Sequence, residues 1–328
     1  MLSNSEVERL LKKMVIRPIR SKDFGQVLEL FSEAFKNKAK ITGVDVQRFS
    51  RVAKIYRLVE IFLPIFDLFH KDFETILVAV SGNRLIGEIH VVPHGKNVWS
   101  LDSSAVDMNF RRRGVYDRLL NESLRYIFKR HGEQVVTSLW TTNVAPVKMT
   151  NRLKFKVFET QILLRFEQGE ILTVEFDKDA SIRGVKSADL EEIFQICRAL
   201  SPEKMRAYRM APRDFRDSFL SRVMSKITWS YSKKWVMEVK GRIVGYTHVT
   251  FIPPEETGKI ESFYVLPSNK SSKLTSLLLS EVLKFLAKRN IGRIITCVNE
   301  EQKEAIEIFE SFGFKPIASV YEMVRELV

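Results

Sequence analysis

The clearest chemical signal in the sequence is a loop in which three consecutive arginines stand directly before a glycine, at residues 111–114. The apolar spacing that follows predicts a long amphipathic helix that begins within this loop, at residues 109–117. The first N–H groups of a helix have no intrahelical partners and bind anions, while a glycine lets the backbone approach a phosphate closely. Arginines add bidentate contacts to phosphate oxygens. These features predict a site for a phosphate-bearing ligand, with a solvated basic turn as the alternative, formed by Arg111, Arg112, Arg113, Gly114, Val115, Tyr116 and Asp117.

The overall charge fits such a ligand without identifying it. The formal net charge is +13, which attracts phosphates of a cofactor, of nucleic acid or of an acidic partner. No zinc-finger spacing, basic zipper or aromatic RNA-binding signature accompanies the charge. Nucleic acid is therefore not the expected partner, and binding to nucleic acid or an acidic protein is kept as an alternative that rests on charge alone.

Composition sets the class of protein. Hydrophobic residues make up 45% and charged residues 28%, the balance of a soluble globular chain. The longest apolar run, residues 61–69, contains Pro64 and Asp67 and is far shorter than the roughly 20 residues that span a bilayer. The polar N-terminus does not resemble a signal peptide. Cys197 and Cys297 stand in separate apolar patterns, and neither they nor the histidines have metal-ligand spacing. We expect a cytoplasmic protein without a transmembrane segment or a metal.

The two halves of the sequence resemble each other. Four short matches occur in the same order in both halves, and three of the four offsets nearly coincide. The larger first offset places extra residues near the start of the first copy. The matched positions are Arg17 with Arg183, Gly87 with Gly245, Val106 with Val265 and Phe155 with Phe314, at offsets of 166, 158, 159 and 159 residues.

Each half also predicts the same order of elements. A short strand leads into a helix, for which Ser21 and Ser187 are the expected caps. Two strands joined by a glycine turn, a further strand, the basic loop, a long helix, another strand, a short helix and a final strand follow. Strands flanked by helices predict an α/β layered fold. The polar segment 168–180 is the expected junction between domains at residues 1–177 and 178–328.

The loop and its surroundings resemble the GNAT superfamily of CoA-dependent N-acyltransferases. In that family a strand leads to the loop Gln/Arg-x-x-Gly-x-Gly/Ala, and residues 111–116 match every fixed position except the last, where Tyr116 replaces a small residue. Asn143 stands at the family's spacing before Phe155, but Thr150 occupies the family's tyrosine position. In the second half, residues 308–314 match the family's closing helix with Phe309 in place of tyrosine, whereas the loop at 270–275 lacks the glycines.

This resemblance implies two tandem GNAT-like domains, each with a mixed, mostly antiparallel twisted sheet flanked by helices. It implies that the loop amides of the first domain hold the pyrophosphate of acetyl-CoA or another acyl-CoA, with Asn143 nearby. It also implies that a backbone N–H at the splayed end of a strand polarises the thioester, here at Ser104, Ala105 or Val106. The family places a carboxylate base near the start of the same strand, and Asp102 and Glu261 stand there, four residues before Val106 and Val265. Strand alternation puts each carboxylate on the same sheet face as its valine.

The resulting expectation is an acyl-CoA-dependent N-acyltransferase that transfers an acetyl group to an amine on a small molecule or a protein. A non-catalytic CoA-sensing or interaction module is the alternative, because neither copy has the tyrosine that protonates the CoA sulfur. The apolar face of residues 55–69 is expected to be core or inter-domain packing, with a groove for a longer acyl chain or a membrane-contacting surface as the alternative. The basic segment 204–222 is expected to be a solvated face rather than a lid. The amine acceptor and the oligomeric state stay open.

Overall fold

The structure is a computed structural model. It describes residues 3–42, 75–94, 97–167, 174, 179–200, 231–251, 257–267 and 272–327. The apolar face at residues 55–69, the basic segment at 204–222 and the start of the second loop at 270–271 lie outside these ranges.

The first copy has four helices and six strands among its described residues. Helix α1 precedes the first strand, and α2 lies between β1 and β2. The remaining order follows the prediction, with a glycine turn between β2 and β3 and the basic loop between β4 and α3. The elements are α1 Asn4–Lys12, β1 Val15–Pro18, α2 Phe24–Thr42, β2 Thr75–Ser81, β3 Arg84–Pro93, β4 Val98–Val106, α3 Val115–Phe128, β5 Gln134–Trp140, α4 Val144–Arg152 and β6 Lys156–Glu167.

The second copy repeats this order from β1 onwards. Among the described residues it contributes three helices and six strands, and its helix α6 corresponds to α3. The elements are β7 Ala180–Gly184, α5 Leu190–Leu200, β8 Tyr231–Val239, β9 Arg242–Phe251, β10 Thr257–Val265, α6 Ser272–Ala287, β11 Arg293–Asn299, α7 Lys303–Ser311 and β12 Lys315–Glu326.

The strands of both copies form one sheet of 12 strands in the described part of the chain. Its order is β1-β2-β3-β4-β5-β12-β6-β11-β10-β9-β8-β7. Only the pairs β4–β5 and β10–β11 are parallel, and the others are antiparallel. The expected α/β fold with a mixed, mostly antiparallel sheet in two repeats is confirmed.

The two copies exchange their last strands. Strand β12 of the second copy pairs with β5 of the first, and β6 of the first copy pairs with β11 of the second. The two exchanged strands meet at the centre, where Gln161 lies opposite Val320. These residues are separated by the 159-residue repeat offset, so a pseudo-twofold axis passes between them. The sequence predicted the final strands but not their exchange.

Helices cover both faces of the first copy's sheet. Helix α3 buries Val115, Leu119 and Leu120 against one face, where α1 also packs; we call this the α3 face. Helix α2 covers the opposite face, the α2 face, where its Val27 and Leu30 contact an apolar cluster that includes Ala105 of β4.

The first match between the halves has a structural explanation. Arg17 pairs with Asp23 over 2.6 Å, and Arg183 pairs with Asp189 over 2.7 Å. The same aspartates accept a backbone N–H three residues earlier, at Arg20 and Lys186. In the second copy the N-cap is Lys186, so the cap predicted at Ser187 was wrong. The side chain of Ser21, the cap predicted in the first copy, lies outside what the structure describes.

Candidate functional site

Strands β4 and β5 of the first copy separate along their length, and we call the gap between them the cleft. The two strands pair only from Val98 to Leu101 on β4, although β4 continues to Val106 and β5 to Trp140. At the point of separation the Thr137 hydroxyl donates a hydrogen bond to the Leu101 carbonyl over 2.9 Å. The cleft therefore begins at a buried hydrogen bond.

The second copy separates its strands at the equivalent place. Strands β10 and β11 pair from Thr257 to Ile260 and then diverge. The Thr296 hydroxyl donates to the Ile260 carbonyl over 3.2 Å. Because Thr296 is Thr137 shifted by the repeat offset, both copies fix the strand separation in the same way.

The free edge of β4 directs backbone groups into the cleft. The N–H of Asp107 donates to the carbonyl of Ile86 on β3 over 2.9 Å, so by strand alternation the N–H of Ala105 also faces β3. The carbonyl of Val106 instead accepts from Arg111 Nε over 3.0 Å on the other side of the strand. Of the three predicted backbone donors, Ser104 and Val106 therefore face the cleft and Ala105 does not.

A β-bulge changes where the candidate carboxylates lie. The register between β3 and β4 shifts at Asp102, and that between β9 and β10 shifts at Glu261. Leu101 and Val106 both pack on the α3 face, which leaves Asp102 on the α2 face. Glu261 likewise follows Ile260, which packs with Phe263 on the opposite face. The predicted sharing of a face with the valines was wrong, because an extra residue interrupts the alternation.

Asp102 belongs to a short chain of hydrogen bonds. The Ser100 hydroxyl donates to Asp102 Oδ1. The same Ser100 oxygen lies 2.7 Å from His94 Nε2. Ser100 is buried and Asp102 is exposed, so the chain runs from the protein interior to an accessible carboxylate.

Glu261 has charged surroundings instead. Its carboxylate lies 2.5 Å from Lys259 Nζ and accepts a hydrogen bond from Thr250 over 2.9 Å. Burial acts to raise the pKa of Glu261, but Lys259 and Thr250 outweigh it and lower the pKa overall. A carboxylate held in this way is a weaker base than an ordinary glutamate.

The basic loop has the backbone geometry of an anion site. Gly114 is the N-cap of α3 in the left-handed region, with φ 74°, and no atom lies within 4 Å of a Cβ placed there. The loop is anchored by Phe110, which is fully buried, and by Asp107, which pairs with Arg84 over 2.9 Å. The amides of the first α3 turn therefore open onto a fixed, uncrowded loop.

The three arginines differ in what holds them. Arg113 pairs with Glu8 over 2.7 Å and donates to Asn4 over 2.6 Å, so α1 holds it. Arg111 donates a hydrogen bond from its Nε to the Val106 carbonyl. Arg112 is exposed and makes no ion pair with any residue that the structure describes. Arg112 and the terminal nitrogens of Arg111 are thus the side-chain donors best placed for a phosphate.

Tyr116 reaches the wall of the cleft. Its hydroxyl is hydrogen-bonded to the Ser104 side chain on β4. Burial, only partly offset by this hydrogen bond, raises the pKa of Tyr116 to about 12. The phenol therefore stays protonated at neutral pH and is a weak proton donor.

The closing helices offer no replacement acid. Thr150 is fully buried, and its hydroxyl donates to the carbonyls of Pro146 and Val147 within α4. Phe309 is buried in the core of the second copy. Asn143 is the exposed N-cap of α4, and its side chain makes no capping hydrogen bond. Its amide is therefore available to a ligand at the cleft.

Sequence reasoning missed a buried carboxyl group on β3. Glu88 is 1% exposed and lies opposite Ala105 on the α2 face. Its Oε1 has no hydrogen-bond partner among the residues that the structure describes. Burial raises the pKa of Glu88 to about 7, although the charge of His90 and the amide of Ala105 act against this. A glutamate between the apolar residues Ile86 and Ile89 was the available sequence signal.

Two classes of site are not found in the described parts of the chain. None of the described helices is both long and apolar enough to cross a bilayer. Within the same residues, no cluster of three or more His, Cys, Asp or Glu side chains could hold a metal ion.

Comparison with known families reports the same repeat. The acetyltransferase (GNAT) family matches the sequence twice, at residues 38–155 and 195–314. No curated protein matches the sequence.

Two solved structures superpose on nearly the whole length of this chain. A tandem GNAT protein from the clavulanic acid biosynthesis pathway, solved without AcCoA, superposes with a TM-score of 0.68 at 13% identity, covering 95% of this chain and 98% of that one. A GCN5-related N-acetyltransferase from Sphaerobacter thermophilus gives a TM-score of 0.66 at 13% identity, covering 96% of each chain. At this identity the likeness establishes the shared fold.

Proposed function

The chain belongs to the acetyltransferase (GNAT) family, and on that premise we propose that it is an acyl-CoA-dependent N-acyltransferase with acetyl-CoA as the donor and an amine as the acceptor. The observation that carries the proposal is the juxtaposition in the first copy of a strand cleft with an anion-binding helix N-terminus. Residues 1–177 would bind the cofactor, and residues 178–328 would serve as scaffold and as a wall of the substrate site.

The loop fits a pyrophosphate. The amides of Val115, Tyr116 and Asp117 are the first of α3, and Gly114 leaves space in front of them. Arg112 and Arg111 would add charge-assisted hydrogen bonds. When bound, acyl-CoA supplies an activated thioester carbon, and the protein's part is to orient it.

The cleft would orient the thioester. The N–H groups of Ser104 and Val106 face the gap between β4 and β5, and donors aimed at a developing negative charge stabilise acyl transfer. The Asn143 amide would contact the cofactor from the opposite wall. Each of these groups sits on a rigid element, which favours a single binding geometry.

Asp102 would be the base in preference to Glu261. Both lie on the face opposite the large helices, where an amine approaching the cleft would meet them. Glu261 is tied to Lys259, which lowers its pKa, whereas the one described hydrogen bond of Asp102 is neutral, from Ser100. We therefore assign proton removal to the first copy.

No described side chain is a good acid for the departing sulfur. The hydroxyl of Thr150 is committed within its helix, and Tyr116 has a raised pKa of about 12. A thiol is far more acidic than this phenol, so Tyr116 would offer the thiolate a hydrogen bond and not a proton. The thiolate would then be protonated by water.

Partner and location complete the proposal. The proposed acceptor is an amine on a small molecule or a protein, and nucleic acid is not the expected partner. The proposed location is the cytoplasm.

Calorimetry with acetyl-CoA on the full chain tests cofactor binding. The full chain is needed because each copy borrows a strand from the other. Changing Arg113→Glu with Gly114→Asp should abolish binding, because both changes place negative charge at the loop. The equivalent changes in the second copy, Ser272→Glu with Lys273→Asp, should leave it intact. Failure of the unmodified protein to bind, or equal losses in both variants, would refute the proposal.

A non-catalytic CoA-sensing module is the second candidate. The observation that favours it is the absence of the acid tyrosine at Thr150 and Phe309. Release of free CoA from acetyl-CoA in the presence of a broad panel of amines separates the two. Binding without amine-dependent release would favour the sensor.

A further inference from the structure

We propose that Ser100 and His94 are positioning residues that hold Asp102 as the base of the first copy. The inference deepens the proposed acyl transfer and rests on it. It comes from a hydrogen-bond chain that family resemblance did not predict.

The chain has a defined direction. Ser100 is 1% exposed, and its oxygen lies 2.7 Å from His94 Nε2 and in contact with Asp102 Oδ1. An ionised carboxylate only accepts, so the single hydroxyl hydrogen of Ser100 points to Asp102. The Ser100 oxygen must then accept from His94, which requires a proton on Nε2.

This arrangement leaves one carboxylate oxygen for chemistry. Oδ1 of Asp102 accepts from Ser100, while Oδ2 has no hydrogen-bond partner among the residues that the structure describes. Asp102 is exposed, whereas Ser100 behind it is buried. Ser100 therefore fixes the carboxylate plane and directs Oδ2 outwards.

The second copy provides an internal comparison. Shifting Ser100 and Asp102 by 159 residues gives Lys259 and Glu261, and there the hydrogen bond is replaced by an ion pair of 2.5 Å. A cation stabilises the ionised carboxylate and weakens it as a base. A hydroxyl also orients the carboxylate but lowers its basicity less. Because Asp102 is held by a hydroxyl and Glu261 by a cation, we assign proton removal to Asp102 in the first copy.

The proposed step is balanced. The ammonium form of the acceptor loses one proton to Asp102 Oδ2, and its lone pair then forms the new N–C bond as the C–S bond breaks. The sulfur takes the electron pair of that bond and leaves as a thiolate. Asp102 passes this proton to solvent, to which its side chain is exposed, and then takes a second proton from the cationic nitrogen of the new N–C bond, which leaves a neutral amide. The thiolate takes a proton from water.

Kinetics on the full chain test the coupling between the two residues. Acetyl-CoA is the donor, and the acceptor is the amine that the panel identifies. We expect Ser100→Ala to lower kcat about tenfold at unchanged KM for acetyl-CoA, and Ser100→Thr to restore most of it. In an Asp102→Asn background, Ser100→Ala should have no further effect. Lys259→Ala, the matched change in the second copy, should leave kcat unchanged.

An NMR measurement tests the same chain without turnover. In ¹⁵N-labelled protein, the His94 ring should carry its proton on Nε2, and Ser100→Ala should shift that resonance or change the tautomer. A ring without an Nε2 proton would overturn the inference even if catalysis is found. An unchanged kcat in Ser100→Ala, or an equal loss in the Asp102→Asn background, would also overturn it. Failure to bind acetyl-CoA would instead refute the proposed function.

Discussion

Thr137 donates a hydrogen bond to the Leu101 carbonyl at the residue pair where β4 and β5 part, over 2.9 Å in a buried position. Thr296 repeats this contact with Ile260 in the second copy. A side chain of one strand thus satisfies the backbone of its neighbour where the interstrand ladder stops.

Replacing either threonine by valine should destabilise the protein by about 1–3 kcal/mol, because a buried carbonyl loses its donor. Denaturant unfolding of Thr137→Val and Thr296→Val measures the loss. If the first copy alone is catalytic, only Thr137→Val should also reduce CoA release. Equal activity losses in both variants would contradict an asymmetric enzyme.

Gly114→Ala should weaken acetyl-CoA binding and destabilise the fold by about 1–2 kcal/mol, since alanine is strained at φ 74° although space is available. Gly82 is the matched control, because it has φ 61° in the β2–β3 turn and equally open space. Gly82→Ala should show a similar loss of stability by urea unfolding without a change in affinity. A comparable loss of affinity in both would remove the loop's specific role.

Glu88→Gln should stabilise the protein at pH 8 and have little effect at pH 4. The pKa of Glu88 is raised to about 7 in the folded protein from an ordinary 4.5, so ionisation is harder in the folded state. The free energy of unfolding therefore falls as the pH rises from 4.5, the ordinary pKa, through 7, by roughly 3 kcal/mol in total.

Urea unfolding of Glu88→Gln at both pH values measures this difference. The control is Glu304→Gln, an exposed position on α7. A stability gain that is the same at pH 4 and pH 8 would show that the carboxyl does not titrate as described.

A fragment of residues 1–177 should form a homodimer. Alone it lacks β12, which lies between β5 and β6 in the full chain. The β6 strand of a second fragment can take that place, because Gln161 and Val320 are equivalent positions across the pseudo-twofold axis. Light scattering after size-exclusion chromatography gives the mass, and a stable folded monomer would be the contrary result.

Much of the architecture was predictable because repetition leaves strong local signals. The glycine turns, the helix after the basic loop and the repeat offset all follow from spacing. Strand exchange was not predictable, since β6 and β12 have the same pattern whichever β5 or β11 they join. Such a choice is made by long-range pairing and not by local preference.

The candidate site was predictable only in part for a similar reason. Loop residues 111–117 follow one another in the chain, so their types reveal the anion site. The contact between His94, Ser100 and Asp102 depends on a bulge at Asp102 that alternation alone does not reveal. Likewise the protonation state of Glu88 depends on the residues that bury it, and these cannot be identified from the sequence of its strand.

The strand exchange also determines how the two copies can diverge. Any change in β6 or β12 alters the sheet of both copies at once, because each strand contacts the two of them. By contrast, residues 270–273 differ in sequence from their counterparts at residues 111–114 and lack the glycine. A chain built in this way can specialise one cleft while both copies remain parts of one continuous sheet.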